Sequence, residues 1–434
     1  MLNSFTGKLI KNRIWVPKEL HKGLQNSFYE FSIKQEGNEI SFISKLNKDG
    51  RIVIPKTFDE MNSGVSKVSF HEVKNSLRPK VMLNRNKIDM LSLIPKKTLS
   101  GFEILALTKG DEIFSWYFAS KGRPKEIIIK RYVEPKIFRF LGYYRAEGGK
   151  PRICKRRGRE FSFTNKSLDL ISDFIELFSV IADEKMIKAT IRYNPASHEK
   201  INGIKRRLVK MGLNEESITS GKADRIQDFT VKLYITNSLL SEIINTAENN
   251  LRKYISTSKD SDLIVEYLRG VIAGDGSLYY WVDKKGSLHS RLQIFEADRN
   301  ALEDIKKMLE FCGILGKIVE SKKKMYIYTA YLGWKSLLFV HKNKLSPFKT
   351  YVSKKAIKMH KRFRSMKHFL ILPKEFNTSQ FRELTKRTYG YSASWLKDRE
   401  KEGLIKRIRK EDNQNIWCLE DSALDLIKIL KGVS

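Results

Sequence analysis

The sequence predicts an α+β chain in three pieces, and three observations carry that reading. The first 130 or so residues run in short β-branched and aromatic stretches broken by Gly, Asn and Asp turns. From 134 to 360, helices alternate with strand pairs, twice over, around two nine-residue segments of identical internal spacing. The remainder reads helix, turn, helix, hairpin. A chain of 434 residues ordinarily holds about three domains. The expected boundaries are 1–133, 134–360 with halves of about 134–258 and 259–360, and 361–434.

The β-rich first piece contains a weak repeat. RIWVPKELHKGL (13–24), RIVIPKTFDEM (51–61) and LSLIPKKTL (91–99) each place an apolar strand before Pro-Lys, at Pro17, Pro55 and Pro95. Proline removes a ladder donor, so each strand is expected to stop there. The second copy, within KDGRIVIPKTF, resembles the dGRIvIPke signature of SpoVT/AbrB-like swapped-hairpin DNA-binding domains. That resemblance spans about ten residues and makes 1–133 a candidate DNA-binding region.

Charge narrows the partner. The chain carries 83 Lys and Arg against 49 Asp and Glu, a formal net charge of +34. Such a surplus is drawn most strongly to a polyanion, because phosphates release counterions when cations bind them. No stretch approaches the ~20 apolar residues of a membrane span, and the first residues lack the apolar core of a signal peptide. No amphipathic helix with a concentrated basic face stands out to favour a membrane surface. Cys154, Cys312 and Cys418 lie far apart, against a disulfide framework or a zinc cage. A cytoplasmic, nucleic-acid-binding protein is the expectation.

The middle piece carries the chemistry. FLGYYRAEG (140–148) and LRGVIAGDG (268–276) share glycine at position three, a small residue at seven, an acid at eight and glycine at nine. On a helix, Gly142 and Ala146 share a face, as do Gly270 and Gly274. Small residues let two such helices approach closely. Glu147 and Asp275 then fall at the helix ends, with Gly148 and Gly276 letting the chain turn away. Pro135 suits the first turn of one helix, and Ser261 or Asp262 is expected to cap the other. Hairpins (150–164 and 277–296), helices (167–182 and 299–314) and strands (229–236 and 324–332) follow in parallel. Two converging carboxylates call for a cation between them. Magnesium takes one or two carboxylates plus water and substrate phosphate. With a polyanion as substrate, the matching chemistry is phosphodiester hydrolysis.

The two nonapeptides resemble the paired motifs of double-motif LAGLIDADG homing endonucleases, over about 134–360. The resemblance implies a duplicated LAGLIDADG αββαββα core, acting as a monomer with internal pseudo-two-fold symmetry on double-stranded DNA, with Mg²⁺ or another divalent cation such as Mn²⁺. It implies Glu147 and Asp275 as the catalytic, metal-binding acids, with the carbonyls of Ala146 and Gly274 beside them. It also implies a basic residue near each site; Lys253 and Lys349 are the candidates, with Arg252 and Lys344 as near alternatives. The chain departs from the idealised motif at Tyr143, Tyr144 and Arg145, which are bulky, and in carrying Glu rather than Asp in the first copy.

DNA contacts are expected from the hairpins that follow the motifs. KPRICKRRGREF (150–161) has six cations in twelve residues, among them Lys150, Arg152, Lys155, Arg157 and Arg159. The second hairpin offers Lys284, Lys285 and Arg291. Its Tyr279, Tyr280 and Trp281 are read first as sheet packing, since three adjacent aromatics cannot share one face.

In the last piece, helix, Tyr-Gly-Tyr-Ser turn, helix, Glu-x-Gly-Leu-Ile exit and hairpin resemble a winged helix. Ser392 is the expected N-cap and Gly403 the helix stop. Ser394, Lys397 and Lys401 would read DNA, and Arg407 and Arg409 on the wing would reach phosphates. The alternatives are a non-cleaving LAGLIDADG-fold transcription regulator and an RNA maturase assisting intron splicing. Retention of both acids favours an enzyme over the regulator.

Overall fold

Apolar–polar alternation in the first 73 residues builds an antiparallel sheet with one face turned to its own core; at one end the other face is also covered, where Phe28 packs with Leu105 and Trp116. The computed structural model describes residues 3–10, 13–24, 27–35, 38–47, 49–54, 64–77, 83–84, 87–117, 125–148, 160–284, 288–321, 325–347, 350–359 and 365–433. The fold is α+β, and the chain divides into two units, Met1–Thr257 and Ser258–Ser434.

In the first unit, β1 (Asn3–Ile10), β2 (Arg13–Trp15), β3 (Phe28–Gln35), β4 (Asn38–Ser44), β5 (Arg51–Val53) and β6 (Gly64–Val73) form a sheet of order β4-β3-β6-β1-β2-β5. A short helix, α1 (His21–Leu24), follows β2. Leu9, Ile14, Phe31, Ile33, Ile52, Val68 and Phe70 fill its core. The first two Pro-Lys copies are partners: Ile14 faces Ile52 across the β2–β5 ladder. Pro17 ends β2 and opens a 3₁₀ turn; Pro55 lies outside the described residues. The third copy is not a strand. Met90–Leu93 coils as a 3₁₀ helix because the Asp89 carboxylate accepts Leu91 N–H at 3.0 Å, and Met90, Leu91 and Leu93 are all buried. Two three-stranded sheets follow, made from β7 (Leu83–Asn84), β8 (Lys87–Asp89), β9 (Ile104–Lys109), β10 (Glu112–Tyr117), β11 (Lys125–Lys130) and β12 (Tyr132–Val133), in orders β12-β8-β7 and β11-β10-β9.

The first motif lies on α2 (Ile137–Glu147), which leads to β13 (Phe161–Asn165), α3 (Leu168–Phe178), β14 (Lys188–Tyr193), α4 (Ile201–Lys210), β15 (Ile218–Lys222), β16 (Phe229–Ile235) and α5 (Ser238–Ser258). The sheet order is β13-β16-β14-β15. Unlike its neighbours, β15 runs parallel to β14, reached by the α4 crossover. This insertion was not foreseen from the sequence, because ITSGK buries only Ile218 and shows no alternation.

The second unit repeats the plan without the insertion. It runs through α6 (Ser261–Gly274), β17 (Gly276–Val282), β18 (Leu288–Glu296), α7 (Arg299–Phe311), β19 (Lys317–Glu320), β20 (Tyr326–Tyr331), α8 (Trp334–Lys342) and α9 (Thr350–Met359). Its sheet order is β17-β18-β20-β19, antiparallel throughout. The cap of α6 is Asp260, whose Oδ1 accepts from Asp262 N–H and Leu263 N–H, rather than Ser261 or Asp262.

The chain ends in β21 (Glu375–Asn377), α10 (Thr378–Thr385), α11 (Tyr389–Lys401), β22 (Ile405–Glu411), β23 (Gln414–Leu419) and α12 (Asp421–Val433). Here Tyr389–Ser392 form the first turn of α11 and not the turn before it. Thr388 is the cap, accepting from Tyr391 N–H, while Ser392 is buried within the helix and donates back to Thr388 O. The reversal falls instead at Lys386, in the left-handed region at φ 52°. Gly403 ends α11 at φ 70°, as expected.

Gly148 and Gly276 do not need a left-handed conformation; they need the absence of Cβ. A Cβ on Gly148 would lie 2.3 Å from Tyr144 O, and one on Gly276 2.5 Å from Ile272 Cα. Both obstructions come from four residues earlier, on the motif helix itself. Gly148 then pairs with Phe163, and Gly276 with Ile294, so each glycine is where the chain enters its sheet. Gly276→Ala should destabilise by about 1–3 kcal/mol, since backbone must move to admit the methyl. Gly333→Ala, where nothing lies within 4 Å of the new Cβ, should stay within about 0.5 kcal/mol. Thermal unfolding midpoints of the two variants check this.

Candidate active site and nucleic-acid interface

Each motif helix carries its acid at the C-terminal end. Glu147 is the last residue of α2, and Asp275 is the C-cap of α6, its own N–H donating to Val271 O. Both are half-buried, as are Ala146 and Gly274 before them. Asn165, at the end of β13, donates Nδ2–H to Glu147 Oε1 at 3.0 Å. Its own Oδ1 accepts Ser167 N–H at 2.8 Å, which fixes the amide's orientation. By register, the counterpart of Asn165 is Glu296, two residues beyond the glycine's partner in each sheet. Glu296 is buried and accepts from Ala297 N–H and Asp298 N–H. The halves therefore differ at this register position, amide in one and carboxylate in the other. Asn165 was missed in the sequence because an Asn before a Ser cap reads as turn punctuation.

Packing explains the bulky motif residues. Phe140 meets Phe174 at 4.9 Å, Tyr144 stacks on Phe161, and Tyr143 donates to Asp173 Oδ2 at 2.6 Å. Burial pushes the Tyr144 hydroxyl's pKa up, so it stays protonated. Arg145 is 5% exposed and lies 3.7 Å from Glu248 of α5, which is 1% exposed. Arg252 donates Nε–H to Glu248 at 2.8 Å and Nη2–H to Asn249. Arg252 is thus committed to an ion pair within α5, whose Glu248 also meets Arg145 of the motif helix. Lys253 beside it is exposed, and Lys344 is exposed in a left-handed conformation at φ 47°. Lys349 lies outside the described residues.

The open faces of the two motif sheets are polar, cationic and aromatic. In the second unit, Tyr279 faces Arg291, which faces Tyr331; Trp281 faces His289; and Ser277, Gln293 and Thr329 form the next row. The Arg291 guanidinium lies 4.4 Å over Tyr279 and 5.6 Å from the Trp281 ring, a restrained cation of the kind that reads base edges. Tyr279 and Trp281 share this face, while Tyr280 turns to the other. In the first unit, the open face holds Lys188 beside Tyr234, Thr190 beside Lys232 and Arg192 beside Thr230. Lys232 is ion-paired to Glu160. These residues were legible in principle, from the period-two polar positions of KATIRY and TVKLYI.

On α11, Ser394, Lys397 and Lys401 are exposed, while Trp395 and Leu396 pack inward. Arg407 is exposed on β22; Arg409 is ion-paired to Glu375 and Glu411, which raises its pKa further. Because α11 starts earlier than expected, its first turn also presents Tyr389 and Tyr391, with Arg382 and Arg387 against their rings. Lys284 is described and exposed. Lys150, Arg152, Lys155, Arg157, Arg159 and Lys285 lie outside the described residues.

Among the described residues, no group of three or more His, Cys, Asp and Glu gathers, and no helix is long and apolar enough to cross a membrane. Each acid offers hard oxygen ligands of the kind magnesium accepts when water and phosphate complete the shell.

Residues 262–353 match the family profile of the LAGLIDADG-like domain. That span contains nearly all of α6 with its acid, the whole β17-β18-β20-β19 sheet and α8. No curated protein matches the chain. Among solved structures, mesophilic variants of the homing endonuclease I-DmoI are 19% identical, cover 49% of this chain and 96% of that one, and give a TM-score of 0.32. The N-terminal LAGLIDADG domain of DUF199/WhiA is 16% identical, covers 49% and 82%, and scores 0.28. Full-length DUF199/WhiA from Thermatoga maritima is 14% identical, covers 62% and 90%, and scores 0.31.

The buried charges supply a test of how the first motif helix is held. Glu248→Ala removes the buried acid that Arg145 and Arg252 share and should destabilise by about 3–5 kcal/mol. Exposed Glu199→Ala should stay within about 0.5 kcal/mol. Denaturant unfolding of the two variants measures the difference.

Proposed function

We propose that the chain is a site-specific DNA endonuclease of the LAGLIDADG type, acting as a monomer and making a metal-dependent double-strand cut. The observation that carries this reading is repeated: an acid at the end of each motif helix, a glycine that must lack Cβ, and a sheet whose open face is cationic and aromatic. Glu147 and Asp275 would hold Mg²⁺ or Mn²⁺, with the carbonyls of Ala146 and Gly274 as neighbouring oxygens. When bound, the cation neutralises charge on the phosphodiester and lowers the pKa of water. Asn165 orients the Glu147 carboxylate through its Nδ2–H. Lys253 and Lys349 stand as the residues that approach the scissile phosphates. Arg291 and Arg192 suit guanine readout from the open sheet faces, and the lysines beside them position on phosphates. The 361–434 piece, read as a winged helix, extends the footprint through α11 and β22.

A second reading is a DNA-binding regulator that does not cut. The exposed cations of α11 and β22 support it equally, because they serve binding whether or not cleavage follows.

Incubation with host genomic or randomised DNA, with and without Mg²⁺, followed by mapping of ends, separates the two. Metal-dependent ends at one sequence support the nuclease, whereas protection without ends supports the regulator. Glu147→Gln and Asp275→Asn should each cut cleavage by roughly 100-fold or more, the scale of losing a principal charge-stabilising group. Affinity should hold within about threefold, since it rests on many phosphate contacts. Wild-type cleavage by either variant overturns the assignment. Lys253→Met should slow single-turnover cleavage by about tenfold or more while leaving Kd nearly unchanged.

A further inference from the structure

The six-stranded N-terminal sheet carries a surface row that no assignment above uses. Trp15 on β2 sits directly between Lys8 on β1 and Arg51 on β5. In the next row Arg13 lies between Ile10 and Val53, and on the other side Thr6 faces Lys67 of β6. Alternation turns Phe5, Leu9, Ile14 and Ile52 into the core, so these rows all face outward. Trp15 is 44% exposed, an unusual position for the largest apolar side chain. The Arg51 guanidinium lies 4.2 Å over its ring and braces it. The charges on the sheet are segregated. Strands β1, β2 and β5 contain three cations and no acid. The acids stand on β3, β4 and β6, where Glu30 pairs with His71 and Glu39 with Lys34.

An exposed indole among cations matches one ligand chemistry well. Every nucleobase has a π-face that stacks on an aromatic ring, and the phosphates between bases meet the flanking cations. In a duplex those faces are already stacked on one another and are closed to a side chain on a flat sheet. Only an unpaired base offers its face. We infer that the β1-β2-β5 face binds single-stranded nucleic acid, with Trp15 stacking on a base and Lys8, Arg13, Arg51 and Lys67 against the backbone. None of these residues belongs to the motifs, and the inference holds whether or not the chain cleaves DNA.

The test uses the full chain in EDTA, with a fluorescein-labelled 20-nucleotide DNA strand of mixed sequence and the corresponding duplex, read by anisotropy. Trp15→Ala should weaken single-strand binding by about tenfold, within the range of one base–aromatic stack. Duplex affinity should change less than about twofold, being carried by many other cations. Lys8→Gln with Arg13→Gln should lower the single-strand salt slope by about 1.4, two phosphate contacts at ~0.7 each. These side chains are exposed, so this variant keeps the proposal testable if Trp15→Ala loses stability. A strand carrying 5-iodouracil should photocrosslink to Trp15. Unchanged single-strand affinity and slope overturn the inference. Equal losses on strand and duplex overturn it too, and would mark a duplex-backbone surface instead.

Discussion

Two backbones cannot occupy the space where a methyl group would stand, and that exclusion organises both motif units. At Gly148 and Gly276 the chain leaves its helix by folding back against the residue four positions earlier. Any Cβ would push the glycine off the helix end. With the glycine in place, the preceding acid is held at the helix end and the glycine itself pairs into the sheet, Gly148 with Phe163 and Gly276 with Ile294. The acid's place and the glycine's pairing into the sheet are thus consequences of one contact, made twice.

The first motif helix is also held by charge. A buried Arg–Glu–Arg set is weak evidence for net stability, because desolvation offsets most of the attraction. Its value lies in geometry. Glu248 accepts from Arg252 on its own helix and sits against Arg145 of α2, so the two helices are locked in one rotation. The second unit reaches a comparable end by other means, with Arg269 of α6 donating to Asn343 O at 2.7 Å.

How much of this was legible in the sequence depended on whether the signal was local. The acids and glycines stood out because identical spacing occurred twice. The alternating strands β16, β18 and β20 were legible by period, and Gly403 by its left-handed role. The edge strand β15 was not, because one apolar residue in five carries no period. The LSLIPK segment misled because apolar content was read as strand, whereas the Asp89 cap and burial on all sides favoured a 3₁₀ turn. The start of α11 was misplaced because Tyr-Gly-Tyr-Ser has turn composition. Thr388 nonetheless offered a competing cap. Asn165 and Arg145 gained meaning only once β13 and α5 were placed beside α2.

The N-terminal sheet has a consequence for how the protein is made. Central strand β1 precedes the rest of its sheet along the chain, yet one of its two partners is β6, with Asn3 opposite Phe70. The other, β2, follows at once. Until β6 has emerged, one side of β1 has no ladder to join, as one side of β2 has none until β5 has emerged. Pairings this distant in sequence form slowly, because the intervening loop must close first. During synthesis, then, the most basic and aromatic rows of the sheet surround an open strand edge. A nascent chain of this kind is open to wrong partners at the stage when its positive charge draws it to the ribosome's own RNA.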